Sequence, residues 1–143
     1  MKTAVFYRSF LGTTKKYAEW LHGEVESDIF RAGKLSKTRL AEYDLVILCS
    51  GTYAGWISMR GLLKKWWSTL RGKKVVLLVV GMVPPEDPES TAAYLKIPEH
   101  IRQEVKYFKL PGTIGSGNRE QVKKENLQPV VEYIHSLAGG SDA

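Results

Sequence analysis

Cysteine is nearly absent from this chain, which has Cys49 alone among its 143 residues. A single cysteine cannot form an internal disulfide, so the fold has to be stabilised by a hydrophobic core. The length suits one domain with such a core and is too short for two ordinary domains. Chains without disulfides are typical of a reducing compartment, and we expect a cytoplasmic location.

Long apolar segments are missing as well. No run approaches the ~18–20 residues that a membrane-spanning helix needs, and Arg8 interrupts the first apolar segment where a secretory signal would continue. Apolar residues make up 43% of the chain and charged residues 25%, a balance typical of globular proteins rather than disordered or fibrous ones. We predict one domain over residues 1–138 and a loose tail over 139–143.

Acidic residues are in deficit. The chain has 15 Asp and Glu against 21 Lys and Arg, giving a net charge of +6 and a pI near 9.4. Such a surface attracts nucleic acids, acidic proteins or anionic ligands. The basic residues are spread over the whole chain with no more than two adjacent, so no nucleic-acid partner is predicted. A scattered basic surface without a specific partner remains the alternative.

Strands and helices alternate along the sequence. Apolar or alternating segments predict five strands, at 2–7, 26–31, 44–50, 73–82 and 104–110. Apolar residues at helical spacing predict helices over 13–22, 59–70 and 91–103, and from 118 onward. Ser58 is the expected N-cap of the second helix and Asn118–Gln121 the expected capping box of the last. Pro98 and Pro129 should break or kink the helices that contain them. This order predicts an α/β domain with a parallel sheet.

Two loops should follow strands at the edge of the sheet where ligands bind. The first places Ser9, Thr13 and Thr14 beside Gly12 at the start of a helix. Amide N–H groups and the helix dipole favour an anion there, and hydroxyls donate to phosphate oxygens. An ordinary hydroxyl-rich helix start is the alternative interpretation.

The second loop, Gly51–Trp56, contains two large aromatic side chains among small residues. A flat apolar ligand could stack on Tyr53 or Trp56 while the backbone binds its edge. The alternative is that one aromatic ring folds down over the core. Cys49, which precedes this loop, is more typical of a buried small side chain than of a redox group.

Several common signatures are absent. A receiver domain has acidic residues where this chain has Tyr7-Arg8 and Cys49-Ser50. The first loop has no Cys-x5-Arg phosphatase motif, and neither a Gly-x-Gly-x-x-Gly fingerprint nor a Walker loop is present. The histidines are too scattered in the sequence to predict a metal site.

The first loop resembles the phosphate loop of flavodoxin-like proteins that bind FMN, whose pattern is Ser/Thr-x-Ser/Thr-Gly-Asn-Thr. Ser9, Gly12 and Thr14 match this pattern, while Leu11 replaces a hydroxyl and Thr13 replaces Asn. The second loop stands where family members line the isoalloxazine ring, and a third loop beginning at Gly81 would close its other side. The resemblance covers roughly residues 1–138 and is nearest to the branch that includes quinone-linked protoporphyrinogen oxidases, through the loop at 55–58.

This resemblance implies a three-layer α/β/α flavodoxin-like sandwich with a five-stranded parallel sheet of order 2-1-3-4-5. It implies FMN as the cofactor and electron transfer or simple flavin oxidoreduction as the function, with no side chain acting as acid, base or nucleophile. A redox protein, acidic in view of the positive charge, would be the partner. The implied cofactor contacts are Ser9, Phe10, Leu11, Gly12, Thr13 and Thr14 for the phosphate, and Gly51, Thr52, Tyr53, Ala54, Gly55, Trp56, Gly81 and Met82 for the ring. An oxidase of the protoporphyrinogen type and a flavin-free basic interaction module are the alternatives.

Overall fold

A parallel sheet forms the middle layer of the protein in a computed structural model, which describes residues 1–9, 12–53, 55–113 and 119–140. The strands are β1 (Thr3–Tyr7), β2 (Asp28–Arg31), β3 (Leu45–Tyr53), β4 (Trp56–Ile57), β5 (Lys74–Gly81) and β6 (Val105–Pro111). Five of them pair in parallel in the order β2-β1-β3-β5-β6. The short β4 pairs antiparallel with the end of β3. Counted without β4, this is the predicted order 2-1-3-4-5, so the predicted fold class is confirmed.

Burial on both faces explains the continuous apolar runs of the central strands. Successive residues of β3 alternate between two hydrophobic clusters, with Val46 and Leu48 in one and Ile47 and Cys49 in the other. A strand that alternates between two cores cannot place polar residues on either side. The amphipathic pattern of a half-exposed strand is therefore missing from β3.

Helices cover both faces of the sheet. They are α1 (Thr13–Glu24), α2 (Lys37–Leu40), α3 (Arg60–Lys65), α4 (Trp67–Leu70), α5 (Pro88–Leu95), α6 (Glu99–Arg102) and α7 (Gln128–Gly140), with 3-10 turns at Ala32–Lys34, Arg119–Gln121 and Lys124–Leu127. Tyr17 and Leu21 of α1 share one cluster with Val130 and Ile134 of α7, whereas α2 to α6 contribute to the cluster on the opposite face. None of the described helices is long and apolar enough to cross a membrane.

The helix predicted over 59–70 is wrong in two respects. It is divided into α3 and α4 at Trp66, whose φ of −99° and ψ of 6° leave the helical region. Ser58 is not the N-cap, because Met59 holds that position. No described side chain caps α3, and the amide of Met59 itself donates to the hydroxyl of Ser50 in β3.

The last two predicted helices also begin elsewhere. The helix predicted over 91–103 begins earlier, at Pro88, and is divided into α5 and α6, with Pro98 as the N-cap of α6. The final helix α7 begins at Gln128 rather than at the expected capping box, of which Asn118 lies outside the described residues. Pro129 stands in the first turn of α7, where the missing N–H of proline costs no hydrogen bond. The helix extends to Gly140, past the expected start of the tail, and residues 141–143 lie outside the described part.

Candidate functional site

The candidate site lies at the carboxyl edge of the sheet, where three loops begin side by side. Tyr7 at the end of β1 is in register with Cys49 of β3, and Gly51 of β3 is in register with Val80 of β5. Because these strands are parallel, the loops that follow them leave the sheet at the same edge. The topology thus brings together the predicted phosphate and ring segments.

The first loop ends at Gly12, which has a φ of 87° and precedes the first residue of α1. No side chain caps this helix; the Gly12 amide donates to Ser9 Oγ at 3.0 Å instead. The first-turn amides have no acceptor within the helix and face outward with the positive end of its dipole. A Cβ on Gly12 would meet no atom of the described part of the chain within 4 Å.

The two threonines of the first loop have different surroundings. Thr13 Oγ1 lies 3.1 Å from Thr113 Oγ1, in the segment after β6. Thr14 is buried, and its Oγ1 lies 3.4 Å from the position that a Cβ on Gly51 would take. Thr14 therefore packs the first loop against the second. Phe10 and Leu11, predicted to contact the phosphate, lie outside the described residues.

The second loop extends outward because β3 continues beyond its neighbours and turns back as β4. Tyr53 pairs with Trp56 across this turn, and Gly55 has a φ of 80°. Tyr53 is 73% exposed and Trp56 is 45% exposed, so neither ring is folded over the core. Ala54, the remaining residue of the turn, lies outside the described part of the chain.

Two cations lie against the ring of Trp56. Lys96 Nζ is 4.0 Å from the ring centre and donates to the Gly55 carbonyl at 2.9 Å. Arg60 Cζ is 4.8 Å from the ring centre, and Arg60 Nε donates to the Lys96 carbonyl at 3.0 Å. Each cation is attracted to the negative face of an aromatic ring. Positive charge is thereby fixed beside the second loop.

The third loop begins in close contact with the second. A Cβ on Gly81 would lie 2.9 Å from Thr52 Oγ1, so the backbone of β5 approaches this side chain as closely as glycine allows. Met82, the next residue, is 41% exposed. Lys109 Nζ donates to Ser90 Oγ at 3.3 Å behind this loop, and burial lowers the pKa of the Lys109 ammonium. A third positive group is thus close to the expected ring segments.

Ser50 holds the second loop to the strand from which it begins. This buried side chain accepts the Met59 amide at 3.0 Å, donates to the Gly51 carbonyl at 2.9 Å and lies 3.0 Å from Ser58 Oγ. Its single hydroxyl proton goes to Gly51, so Ser58 is the donor in the hydroxyl pair. Burial raises the pKa of the adjacent Cys49 thiol to about 12, which leaves that side chain a neutral core group.

The structure brings most of the sequence-predicted residues to one edge and adds others. Ser9, Gly12 and Thr13 border the first loop, while Gly51, Thr52, Tyr53, Gly55, Trp56, Gly81 and Met82 form the adjoining loops. Sequence reasoning missed Ser50, Lys96 and Lys109. A serine at the end of an apolar run was a signal for the first of these, whereas the two lysines lie far away in sequence and gave none.

Comparison with known proteins defines the family. The model of the flavodoxin domain matches residues 4–131, and the chain therefore belongs to the flavodoxin family. This confirms the predicted resemblance and supports FMN as the cofactor. No curated protein matches the chain at a significant level.

Solved structures of flavodoxins share the fold at low sequence identity. A flavodoxin from Streptococcus pneumoniae TIGR4 aligns over 95% of this chain and 99% of its own, at 14% identity and a TM-score of 0.63. A two-electron-reduced flavodoxin from Megasphaera elsdenii aligns over 91% and 98%, at 16% identity and 0.62. A flavoprotein from Lactobacillus acidophilus NCFM in complex with FMN aligns over 77% and 91%, at 16% identity and 0.52.

Removal of the Ser50 hydroxyl tests its part in holding the second loop. Ser50→Ala leaves the buried Met59 amide without an acceptor, which should lower the free energy of unfolding by about 1–3 kcal/mol. Ser58→Ala is the matched control, because it removes one hydroxyl and leaves that amide paired. Urea denaturation of both variants checks the difference, and equal losses in the two would contradict the assigned role.

Proposed function

We propose that this protein binds FMN at the carboxyl edge of the sheet and serves in electron transfer or simple flavin oxidoreduction. The observation that carries the proposal is the juxtaposition of two unlike surfaces. The amides at the start of α1, which no described side chain caps, lie at the same sheet edge as the exposed rings of Tyr53 and Trp56. An anionic group and a flat ring on one ligand would satisfy both.

The two ends of the cofactor would be held by different kinds of group. Amides and hydroxyls of Ser9, Gly12, Thr13 and Thr14 would bind the phosphate, together with Phe10 and Leu11 of the same loop. Residues of the other two loops would frame the ring, namely Gly51, Thr52, Tyr53, Ala54, Gly55, Trp56, Gly81 and Met82. Tyr53 is 73% exposed and Trp56 is 45% exposed. Tyr53 therefore offers the larger accessible ring surface for stacking.

The chemistry of such a protein belongs to the cofactor, and bound FMN would accept and release the electrons. The protein would supply position and charge. Lys96 and Arg60 fix positive charge beside the second loop, and Lys109 lies behind the third. These groups favour the negative charge that reduction adds to a flavin.

An acidic redox protein is the partner that this surface favours. The net charge is +6, and the cations beside Trp56 place part of it at the exposed edge of the site. Opposite charge on a partner would accelerate association, and salt would slow it. No feature of the described residues favours a protoporphyrinogen oxidase or a flavin-free interaction module.

The phosphate end of the site is tested by comparing FMN with riboflavin, which lacks the phosphate. FMN should bind with micromolar or better affinity and riboflavin distinctly more weakly. Gly12→Val should weaken FMN roughly tenfold and riboflavin less, since a β-branched side chain is strained at this positive φ and blocks the amides. Fluorescence quenching titrations provide the four affinities. Equal affinities for the two flavins would refute the phosphate assignment.

The ring end is tested at Tyr53. Stacking of a flat ring on an aromatic side chain is worth ~1–3 kcal/mol, so Tyr53→Ala should weaken FMN by roughly tenfold or more. Tyr53→Phe keeps the ring and should bind FMN nearly as well as the unmodified protein. If the alanine variant binds with unchanged affinity, the second loop does not hold the ring.

The fixed cations are tested by a redox titration of the FMN-loaded protein. A charge at ~8 Å and an effective dielectric constant of ~40 contributes about 1 kcal/mol, or roughly 45 mV for one electron. Lys96→Met should shift the potential for adding the second electron by that order toward more negative values. Lys74→Met removes the same charge at the start of β5, at the opposite edge of the sheet, and should leave the potential nearly unchanged. Equal shifts in both variants would show that only the overall charge matters.

A further inference from the structure

A cavity of about 280 Å³ opens beside the first loop, on the side away from the ring segments. It lies between the carboxyl ends of β1 and β2, with Arg31 and Gly33 on the β2 side. Ser9 and Gly12, which belong to the proposed phosphate site of FMN, line it on the other side. In the sheet order β2-β1-β3-β5, the second and third loops lie on the β3 side of β1. The cavity lies on the β2 side, so an FMN placed as proposed would reach it with no more than its phosphate end.

The lining of this cavity is strongly positive. The described residues that line the cavity include Lys15 and Arg31 and no Asp or Glu. Arg8 also lines the cavity, but one of its guanidinium nitrogens donates to the Ser58 carbonyl at 3.1 Å, beside the second loop. Lys15 and Arg31 are therefore the cations that remain for a ligand there. The nearest acid to Lys15 is Glu19, at 3.8 Å on the same exposed helix face, a pair too weak to keep the ammonium from an anion.

The surrounding backbone leaves room for a ligand group. Ser9 Oγ accepts the Gly12 amide at 3.0 Å, so its own proton is available to another acceptor. Gly33 lines the cavity, and a Cβ on it would meet no atom within 4 Å. In dinucleotide-binding α/β folds, an arginine about 20 residues beyond the first glycine loop can receive a phosphate of the second nucleotide. Arg31, the last residue of β2, occupies that position.

We propose that this cavity binds a second phosphate group, distinct from the phosphate of FMN, through Lys15 and Arg31. The distinction between this phosphate and the phosphate of FMN rests on the proposed function. The positive charge of the cavity does not depend on that function. The shared ligand chemistry is a phosphate oxyanion. Two kinds of ligand carry such a group. One is a flavin dinucleotide, whose nucleotide half continues beyond the first phosphate, and the other is a separate phosphate-bearing substrate.

The test combines three probes with three variants. FMN and FAD are titrated into the flavin-free protein, and inorganic pyrophosphate is titrated into the FMN-loaded protein by calorimetry. Arg31→Gln and Lys15→Gln each remove one cation from the cavity. Lys16→Gln is the matched control, because Lys16 is the next residue of the same helix, lies 5.3 Å from the ring of Trp20 and does not line the cavity.

Two results would support the proposal. Either FAD binds at least as tightly as FMN, which identifies the flavin's own nucleotide half, or the FMN-loaded protein binds pyrophosphate, which identifies a separate ligand. In the first case Arg31→Gln and Lys15→Gln should weaken FAD binding roughly tenfold, and in the second they should weaken pyrophosphate binding roughly tenfold. In both cases FMN affinity should stay within about twofold. Lys16→Gln should change neither affinity.

Other results would overturn it. The cavity has no second phosphate site if FAD binds more weakly than FMN and pyrophosphate does not bind. If Arg31→Gln and Lys15→Gln weaken FMN binding as much as they weaken the binding of FAD or pyrophosphate, the cations of the cavity bind the FMN phosphate instead. If Lys16→Gln weakens the binding of these ligands equally, the effect comes from the overall charge of the protein and not from the cavity. Failure of FMN to bind at all would refute the proposed function alone, and pyrophosphate titration of the free protein would still decide whether the cavity binds phosphate.

Discussion

The pairing of β3 with β1 on one side and β5 on the other is the constraint on which the rest of the structure depends. Residues 45–50 of β3 are buried on both faces, so this strand can occupy only the middle of the sheet. Its parallel register with both neighbours makes three loops leave the sheet together. The first loop and two exposed aromatic rings thereby become parts of one surface, although they are about 40 residues apart in sequence.

Two tight contacts convert this topology into a defined site. The buried Ser50 hydroxyl connects the end of β3 to the start of α3, and the missing side chain of Gly81 lets β5 approach Thr52. Both contacts lie beneath the surface that would meet a cofactor.

Sequence reasoning succeeds where a local pattern has a single structural solution. The apolar runs of β3 and β5 are typical of buried strands, and loops after such strands meet at one edge, so the parallel sheet and the site loops could be predicted. The sheet order came from the resemblance to flavodoxin-like proteins. Prediction fails where a contact with a residue distant in sequence sets the local structure. Met59, not Ser58, begins α3 and donates its amide to Ser50, and Lys96 contacts Trp56 from just after α5. A contact between residues about 40 positions apart produces no periodic pattern in the sequence that could predict it.

The visible absorption spectrum of the purified protein tests the central claim most directly. The account predicts a yellow protein whose flavin absorption persists through gel filtration and whose ligand, released by denaturation, migrates as a phosphorylated flavin in chromatography. If the flavin is lost during purification, addition of FMN should restore the protein-bound spectrum. A colourless protein that leaves the spectrum of added FMN unchanged would contradict the account.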